Sequence, residues 1–158
     1  MKFRKAAKKD ANGIAKVLVQ SYNIKTAGEG KKVFLEETKK LHNYIVAEDN
    51  GKIAGIVTWA KHGLFKHQLI ELDRIAVLPE YRGKGVARGL FNALIKDADK
   101  FYKKNNSKLR KLYLLCHADN KRAHKFYNKM GLKHESTLKQ HYYRHVDEFV
   151  FSRFFDKK

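Results

Sequence analysis

The stretch that most constrains the fold is a strand, a tight turn and a helix in immediate succession, within residues 69–100. Leu69 to Val77 is rich in Ile, Leu and Val and contains no Gly or Pro, which is typical of a strand. Pro79 follows this strand and ends it, because proline has no N–H to donate to a neighbouring strand. Further on, apolar residues recur with the spacing of an amphipathic helix, at Val86, Leu90, Leu94 and Ala98. The sequence therefore predicts a strand that leads through a short turn into a helix.

The turn between strand and helix, residues 82–87, reads Arg-Gly-Lys-Gly-Val-Ala and is basic and rich in glycine. Glycines let the backbone approach a ligand closely, and the first turn of a helix presents unpaired N–H groups and the positive end of its dipole. Such a turn suits a phosphate or diphosphate group. A Walker A loop is excluded, because Lys84 is followed by Gly85 and not by Ser or Thr. The dinucleotide fingerprint is excluded too, because Arg88 occupies the place of its third glycine.

Two motifs resemble those of the GNAT N-acetyltransferase family. The first is the family's Arg/Gln-x-x-Gly-x-Gly/Ala pattern, which Arg82, Gly85 and Ala87 match. The second spans residues 120–132 and resembles Asn-x-x-Ala-x-x-Phe-Tyr-x-x-x-Gly-Phe, with Leu132 in place of the final Phe. The order of predicted elements, namely strand, helix, helix, hairpin, strand, helix, strand, helix, strand, strand, is also the family's. The resemblance implies the GNAT acyl-CoA N-acyltransferase fold, an α/β fold with a central mixed sheet of six to seven strands flanked by about four helices, as one domain over residues 1–158.

The resemblance also implies an activity, the transfer of an acetyl group from acetyl-CoA to a primary amine of a small molecule or protein by direct attack in a ternary complex. A second class is left open, a non-catalytic acyl-CoA or nucleic-acid-binding protein that retains the fold. By the same resemblance, coenzyme A would be bound by the end of the strand before the turn, by the turn itself and by the first residue of the second motif. These cofactor-binding candidates are Ile75, Ala76, Val77, Arg82, Gly83, Lys84, Gly85, Val86, Ala87 and Asn120. Asn120 is equally suited to cap the helix that follows it.

Two residues are the catalytic candidates. Tyr127 matches the family tyrosine that protonates the departing coenzyme A thiolate, and a phenol is protonated at neutral pH. Glu71 matches the carboxylate that serves as general base in histone-acetylating relatives. Asp73 lies on the same face of the strand, and adjacent carboxylates raise one another's pKa, which suits a proton acceptor that works directly or through water. An ion pair of Glu71 with Arg74 or a nearby lysine is the alternative. A peptide N-terminus is less favoured as acceptor, because Leu115 stands where ribosomal-protein-acetylating relatives carry Glu.

No metal site is expected, because the chain contains a single cysteine, Cys116, and no paired ligands with a suitable spacing. His141 and His145 lie in a predicted strand or turn, where their rings would not converge. Cys116 itself is expected to be a buried strand residue. A single cysteine, no apolar run long enough to cross a bilayer and no secretory signal behind the basic N-terminus together favour a cytoplasmic protein without membrane contact.

The chain has a net charge of +19 and a sequence pI near 10.0. Such an excess favours anionic ligands, and it leaves contact with nucleic acid or the ribosome open. A homodimer is a separate alternative that the sequence leaves open. The lysines are spread along the chain, however, so a general solubility role explains them equally well. Strongly cationic substrates such as polyamines would be repelled unless the site is locally acidic.

Outside the two motifs, the pattern predicts Asp10 as the N-cap of a first helix and a chain break at Gly28-Glu29-Gly30 before a second helix, residues 31–40. Asn50-Gly51 predicts a tight hairpin, whose second strand ends at Trp59. Residues 61–68 are predicted to be a polar connection.

Overall fold

The computed structural model describes residues 1–156, and within them the chain forms seven strands and four α-helices. The strands are β1 (Lys2–Lys5), β2 (Asn43–Asp49), β3 (Lys52–His62), β4 (Leu69–Val77), β5 (Lys111–His117), β6 (Lys133–Tyr143) and β7 (Val146–Phe154). The helices are α1 (Ala11–Ser21), α2 (Ala27–Lys39), α3 (Val86–Lys104) and α4 (Lys121–Lys129). The strands form one mixed sheet in the order β1-β2-β3-β4-β5-β7-β6, so the predicted α/β fold class is confirmed.

Local sequence signals explain several of these elements. The β2–β3 hairpin turns at Asn50 and Gly51, whose φ angles of 47° and 80° are those of the predicted tight turn. β4 is parallel to β5, whereas β1–β2, β2–β3, β5–β7 and β6–β7 are antiparallel. Strand β4 and the start of α3 have the bounds that the sequence predicts.

The described chain divides into two compact units. The first consists of residues 1–60 and 74–98, and the second of residues 61–73 and the chain from residue 99 onward. In the first unit, the apolar face of α1 packs in one cluster with residues of α2, β2 and β3, namely Ile14, Val17, Leu18, Phe34, Val46 and Ile56. The second unit buries Ile70, Tyr102, Leu112, Leu114 and Phe151. That residues 1–158 form a single domain stays a prediction.

Helix α2 begins earlier than predicted, because Gly28 and Gly30 lie inside it and do not break the chain. Its N-cap is Thr26, whose hydroxyl oxygen accepts a hydrogen bond of 3.1 Å from the N–H of Glu29. Gly30 is buried where α2 meets α1, and a Cβ atom there would lie 3.0 Å from the Cα of Ala15. This glycine permits close helix packing.

Asp10 stands at the predicted N-cap position of α1, but it does not cap the helix with its side chain. Its backbone is already helical and its side chain makes no capping bond to α1. The carboxylate instead accepts a hydrogen bond of 2.7 Å from the N–H of Ala7 and two from Arg4, at 2.8 and 2.9 Å. Asp10 therefore ties the entry of α1 to β1.

Strand β3 continues past Trp59 to His62, so the connection to β4 is shorter than predicted. That connection holds Gly63 and a short 3₁₀ turn at Phe65–His67. Of the helices in the described residues, none has the length and apolar character needed to cross a membrane.

Candidate functional site

The glycine-rich turn lies in the first unit, between β4 and α3. Gly83 and Gly85 have φ angles of 75° and 78°, in the left-handed region that favours glycine. A Cβ atom at either position would meet no heavy atom within 4 Å, so the space above the turn is open. The first α-helical bond of α3 runs from the N–H of Gly89 to the carbonyl of Gly85, at 3.0 Å. The N–H groups of residues 86–88 therefore have no acceptor one turn earlier in the helix.

The side chain of Arg82 connects this turn with the end of β4 by a hydrogen bond. Its Nε donates a hydrogen bond of 3.1 Å to the carbonyl oxygen of Val77, a contact that does not use its two terminal nitrogens. The Lys84 ammonium lies 5.7 Å from the centre of the Tyr81 ring. Arg82 thus stabilises the turn as well as adding positive charge beside it.

The end of β4 is also fixed on its other side. The hydroxyl of Tyr22 in α1 donates a hydrogen bond of 3.2 Å to the carbonyl oxygen of Ile75. Ala76 and Val77 are buried. The predicted residues 75–77 and 82–87 therefore form one continuous segment within the first unit.

Glu71 lies in the second unit, and its partners are not those expected. Its Oε2 atom is 2.7 Å from Nε2 of His62 at the end of β3, and it accepts a hydrogen bond of 3.1 Å from the hydroxyl of Tyr113 on β5. Glu71 and Tyr113 are also the last residue pair in the parallel register of β4 with β5. We call Glu71, His62 and Tyr113 the Glu71 cluster.

Arg74 does not pair with Glu71. Its guanidinium bonds to the carboxylate of Glu37 on α2, at 2.5 and 2.9 Å, within the first unit. Glu37 also accepts a hydrogen bond from the hydroxyl of Tyr44. Although burial works against its charge, the pKa of Arg74 is raised above its ordinary value by Glu37, which bonds to the guanidinium and lies close as a negative charge. The alternative of an ion pair between Glu71 and Arg74 is therefore wrong.

The surroundings of the Glu71 cluster are acidic despite the net charge of the chain. Burial raises the pKa of Tyr113, and the negative charges of Glu71 and Asp73 raise it further. The pKa of Tyr142 on β6 is also raised, first by partial desolvation and then by the charges of Glu71, Glu148 and Asp73. The negative charges of three carboxylates of the second unit thus raise the pKa of one exposed side chain, that of Tyr142.

The second motif forms the start and the body of α4. The side-chain oxygen of Asn120 accepts a hydrogen bond of 3.2 Å from the N–H of Ala123, so Asn120 caps the helix, as one of its two interpretations requires. Tyr127 is 8% exposed, and its ring packs against Phe151 of β7 with 5.8 Å between ring centres. Gly131, with a φ of 84°, follows the end of the helix.

Other titratable side chains of the second unit have defined environments. Cys116 is buried, and burial raises the pKa of its thiol to about 11, so it stays a protonated thiol at neutral pH. His117 contacts the carboxylate of Glu148 through Nδ1, and Glu148 is almost fully buried. This placement of Cys116 matches its expected role as a strand residue.

The sequence does not predict His62 or Tyr113 as site residues. It places His62 in a connecting loop, because the predicted second strand of the hairpin ends at Trp59. A signal was available, because Ala60-Lys61-His62 continues the strand without Gly or Pro until Gly63. Tyr113 carries no such signal, since its proximity to Glu71 depends on the pairing of β4 with β5.

A model of the acetyltransferase (GNAT) family matches residues 12–132, which is more than half of the chain. The chain belongs to this family. It is 29% identical over 119 residues to the spermine/spermidine N(1)-acetyltransferase of Bacillus subtilis, covering 70% of this chain and 73% of that protein. It is 30% identical over 100 residues to an uncharacterized N-acetyltransferase, MJ1207, of Methanocaldococcus jannaschii, covering 61% of this chain but only 41% of that longer relative.

Among solved structures, yncA from Salmonella typhimurium with its cofactor acetyl-CoA superposes with a TM-score of 0.74 at 17% identity, covering 99% of this chain and 95% of that one. This likeness shows a shared fold. Family membership identifies the protein as an N-acetyltransferase whose acetyl donor is acetyl-CoA.

The residues of the turn fit a diphosphate-containing donor. The space above Gly83 and Gly85 is open, the N–H groups of residues 86–88 have no acceptor within the helix, and Arg82, Lys84 and Arg88 are exposed cations. Backbone N–H groups combined with positive charge are what a diphosphate requires.

Proposed function

We propose that this acetyltransferase moves the acetyl group of acetyl-CoA to a primary amine that carries positive charge, by direct attack in a ternary complex. The choice of acceptor rests on one observation, that the negative charges of Glu71, Asp73 and Glu148 raise the pKa of Tyr142. We call these three carboxylates the acidic group. An amine that is an ammonium ion in water is attracted by carboxylates at short range. A protein of net charge +19 would otherwise repel a cationic substrate, and these carboxylates provide the local negative charge that attracts it.

A small aliphatic polyamine fits this description better than a peptide N-terminus. The Bacillus subtilis relative is named as a spermine/spermidine N(1)-acetyltransferase, which supports the same class of acceptor. Leu115 of β5 adds a second argument, because ribosomal-protein-acetylating relatives carry a carboxylate at that place. The ε-amino group of a protein lysine is the second acceptor that the same charge pattern favours.

The donor side of the proposal rests on residues 75–77, residues 82–87 and Asn120. Acetyl-CoA supplies a thioester, an activated acyl group whose carbonyl carbon an amine can attack. The N–H groups at the start of α3 and the charges of Arg82 and Lys84 would bind its diphosphate. Backbone groups of Ile75, Ala76 and Val77 would bind the pantetheine arm, and an N–H group there would stabilise negative charge on the carbonyl oxygen.

The proton transfers of the proposal involve Tyr127 and Glu71. Tyr127 would give its hydroxyl proton to the departing sulfur, so that coenzyme A leaves as a neutral thiol. Glu71 would promote the loss of a proton from the attacking amine. The role of Tyr127 is assigned from the second family motif, and that of Glu71 from its match to histone-acetylating relatives. Both roles are compatible with the placements of the side chains, the first buried and the second half-buried.

A screen of acceptors tests the proposal. Purified protein and acetyl-CoA are combined with a panel that contains spermidine, a lysine-rich peptide, a peptide with a free N-terminal alanine and an acidic peptide. Thiol release and product mass are measured. We expect the highest kcat/KM for spermidine and the lowest for the acidic peptide. Absence of thiol release with every amine would contradict the activity, and equal kcat/KM for cationic and anionic acceptors would contradict the acceptor class.

Variants sharpen this test. Asp73→Asn removes one carboxylate of the acidic group, and Asp99→Asn makes the same chemical change at a surface ion pair with Lys103 on α3. We expect Asp73→Asn to lower kcat/KM for spermidine severalfold while Asp99→Asn leaves it unchanged. A similar effect of both variants would show that net charge, and not the acidic group, governs the acceptor.

A further inference from the structure

The Glu71 cluster contains a histidine whose geometry resembles that of a base held by a carboxylate. His62 Nε2 lies 2.7 Å from Oε2 of Glu71, a distance at which the nitrogen must carry a proton that the carboxylate accepts. The contact therefore assigns the Nε2–H tautomer to a neutral His62 ring. In that tautomer Nδ1 has a lone pair and no proton.

Exposure within the cluster separates the roles of its members. The side chain of Glu71 is 19% exposed, whereas that of His62 is 45% exposed. Glu71 is therefore largely covered by its neighbours, and His62 connects it with solvent. The Tyr113 ring meets the His62 ring edge to face, with 5.5 Å between centres, which holds the imidazole in place.

Tyr113 is unsuited to accept a proton itself. Its hydroxyl already donates to Glu71 Oε2, and its raised pKa keeps the phenol neutral. The hydroxyl lies 3.3 and 3.4 Å from the two ring nitrogens of His62, longer than its bond to Glu71. Asp73 on β4 and Tyr142 on β6 also act on Tyr113. Imidazole is the side chain that ordinarily exchanges protons near neutral pH.

We propose that His62 is the proton acceptor for the attacking amine and that Glu71 acts through it as a positioning residue. This inference rests on the proposed function. The acceptor arrives as an ammonium ion, and one of its N–H bonds breaks as Nδ1 of His62 takes the proton, while Nε2–H stays bonded to Glu71. The lone pair left on the nitrogen attacks the thioester carbonyl, and a second N–H proton, lost after the attack, balances the proton that Tyr127 gives to the sulfur. The imidazolium then gives its Nδ1 proton to water, which restores the starting tautomer. No oxidation or reduction occurs, and the carboxylate compensates the positive charge on the ring while it lasts.

The arrangement predicts different effects for two substitutions at one position. His62→Ala removes both the base and its bond to Glu71. His62→Gln keeps an N–H donor for the Glu71 carboxylate but has no basic nitrogen. If His62 accepts the proton, both variants lose turnover to a similar extent. If His62 only supports Glu71, His62→Gln keeps most of the activity.

The experiment measures kcat against pH for wild type, His62→Ala, His62→Gln and the control His145→Asn, with spermidine as acceptor. His145 is an exposed histidine of the β6–β7 turn with a φ of 66°, a conformation that Asn tolerates. At neutral pH we expect both His62 variants to lose about 100-fold in kcat. The dissociation constant of acetyl-CoA should change less than about twofold, since the cofactor contacts are intact.

Two further readouts separate proton transfer from a structural role. Added imidazole should restore turnover of His62→Ala, because the half-exposed site admits it. The loss should also shrink at alkaline pH, where the amine arrives without its proton. If the wild type is active, full activity of His62→Gln, or a loss of turnover that neither imidazole nor alkaline pH reduces, would overturn the role of His62 but not the proposed function. A wild type without turnover would overturn the proposed function and this inference with it.

Discussion

Tyr127 is the single residue on which the proposed departure of coenzyme A depends. It occupies the tyrosine position of the second motif and is 8% exposed, packed against Phe151. Another buried tyrosine, Tyr102, donates its hydroxyl to the carbonyl of Leu69 at 3.0 Å and belongs to neither motif. The two residues allow the effect of a lost phenol on catalysis to be separated from its effect on packing.

We predict that Tyr127→Phe lowers kcat by about 100-fold, because the thiolate must then leave without a proton donor. Acetyl-CoA affinity, measured by calorimetry, should stay nearly unchanged. The control Tyr102→Phe should keep kcat and lose stability by about 1 kcal/mol, the value of one hydrogen bond. A Tyr127→Phe variant with wild-type turnover would remove this residue from the mechanism.

The site residues illustrate which single positions a sequence can identify. Gly83 and Gly85 are recognisable because only glycine readily adopts the φ angles that the turn requires. The partners of Glu71 are not recognisable in this way. Arg74, three residues along the chain, is an alternative partner that the sequence suggests, and it instead bonds to Glu37 of α2, far away in sequence. Side-chain pairing of this kind depends on tertiary packing, which local patterns do not contain.

At the scale of secondary structure, the entry of α1 depends on one charged contact. Asp10 is 6% exposed and bonds to Arg4 and to the N–H of Ala7. The bond from Arg4 holds the pKa of the Asp10 carboxyl below its ordinary value of 3.8. A folded-state pKa below the unfolded one contributes stability that is complete above the unfolded value and is lost as the pH falls through the folded value.

We therefore predict that Asp10→Asn lowers the free energy of unfolding by about 2 kcal/mol at neutral pH. The difference from wild type should narrow below about pH 4, because the wild-type carboxylate is then protonated as well. Urea unfolding at several pH values measures both effects. The control Asp99→Asn, at an exposed pair within α3, should cost only about 0.3–0.5 kcal/mol. A difference for Asp10→Asn that is the same at every pH would contradict this account.

The elements also show where sequence patterns fail. β4 and α3 were predicted well, because a strand without Gly or Pro, a proline and an amphipathic repeat are local signals. The glycines of α2 gave the opposite result, because Gly30 serves helix packing against Ala15 and was interpreted as a break. The capping signal Thr26-x-x-Glu29 was present in the same segment and predicts the observed start of the helix.

For the whole molecule, charge acts at two distances. The net charge of +19 favours an anionic donor and disfavours a cationic acceptor at long range. The carboxylates Glu71, Asp73 and Glu148 act on Tyr142 locally and supply the opposite field. Composition alone indicates only the first of these effects, because the second depends on the tertiary placement of carboxylates from β4 and β7 near Tyr142 of β6.

The activity of the whole protein depends on one claim, that the turn between β4 and α3 binds acetyl-CoA. Two glycines make a matched comparison. Gly85 in the turn has a φ of 78°, Gly51 in the β2–β3 hairpin has a φ of 80°, and a Cβ atom at either would meet no atom within 4 Å. Alanine at the two positions therefore introduces the same backbone strain, of about 1–3 kcal/mol.

Isothermal titration calorimetry of acetyl-CoA into wild type, Gly85→Ala and Gly51→Ala tests this claim most directly. We predict one-to-one binding by wild type, a dissociation constant for Gly85→Ala that is larger by about tenfold, and no change for Gly51→Ala. Absence of binding heat with the wild type, or an equal loss of affinity in both variants, would contradict the claim.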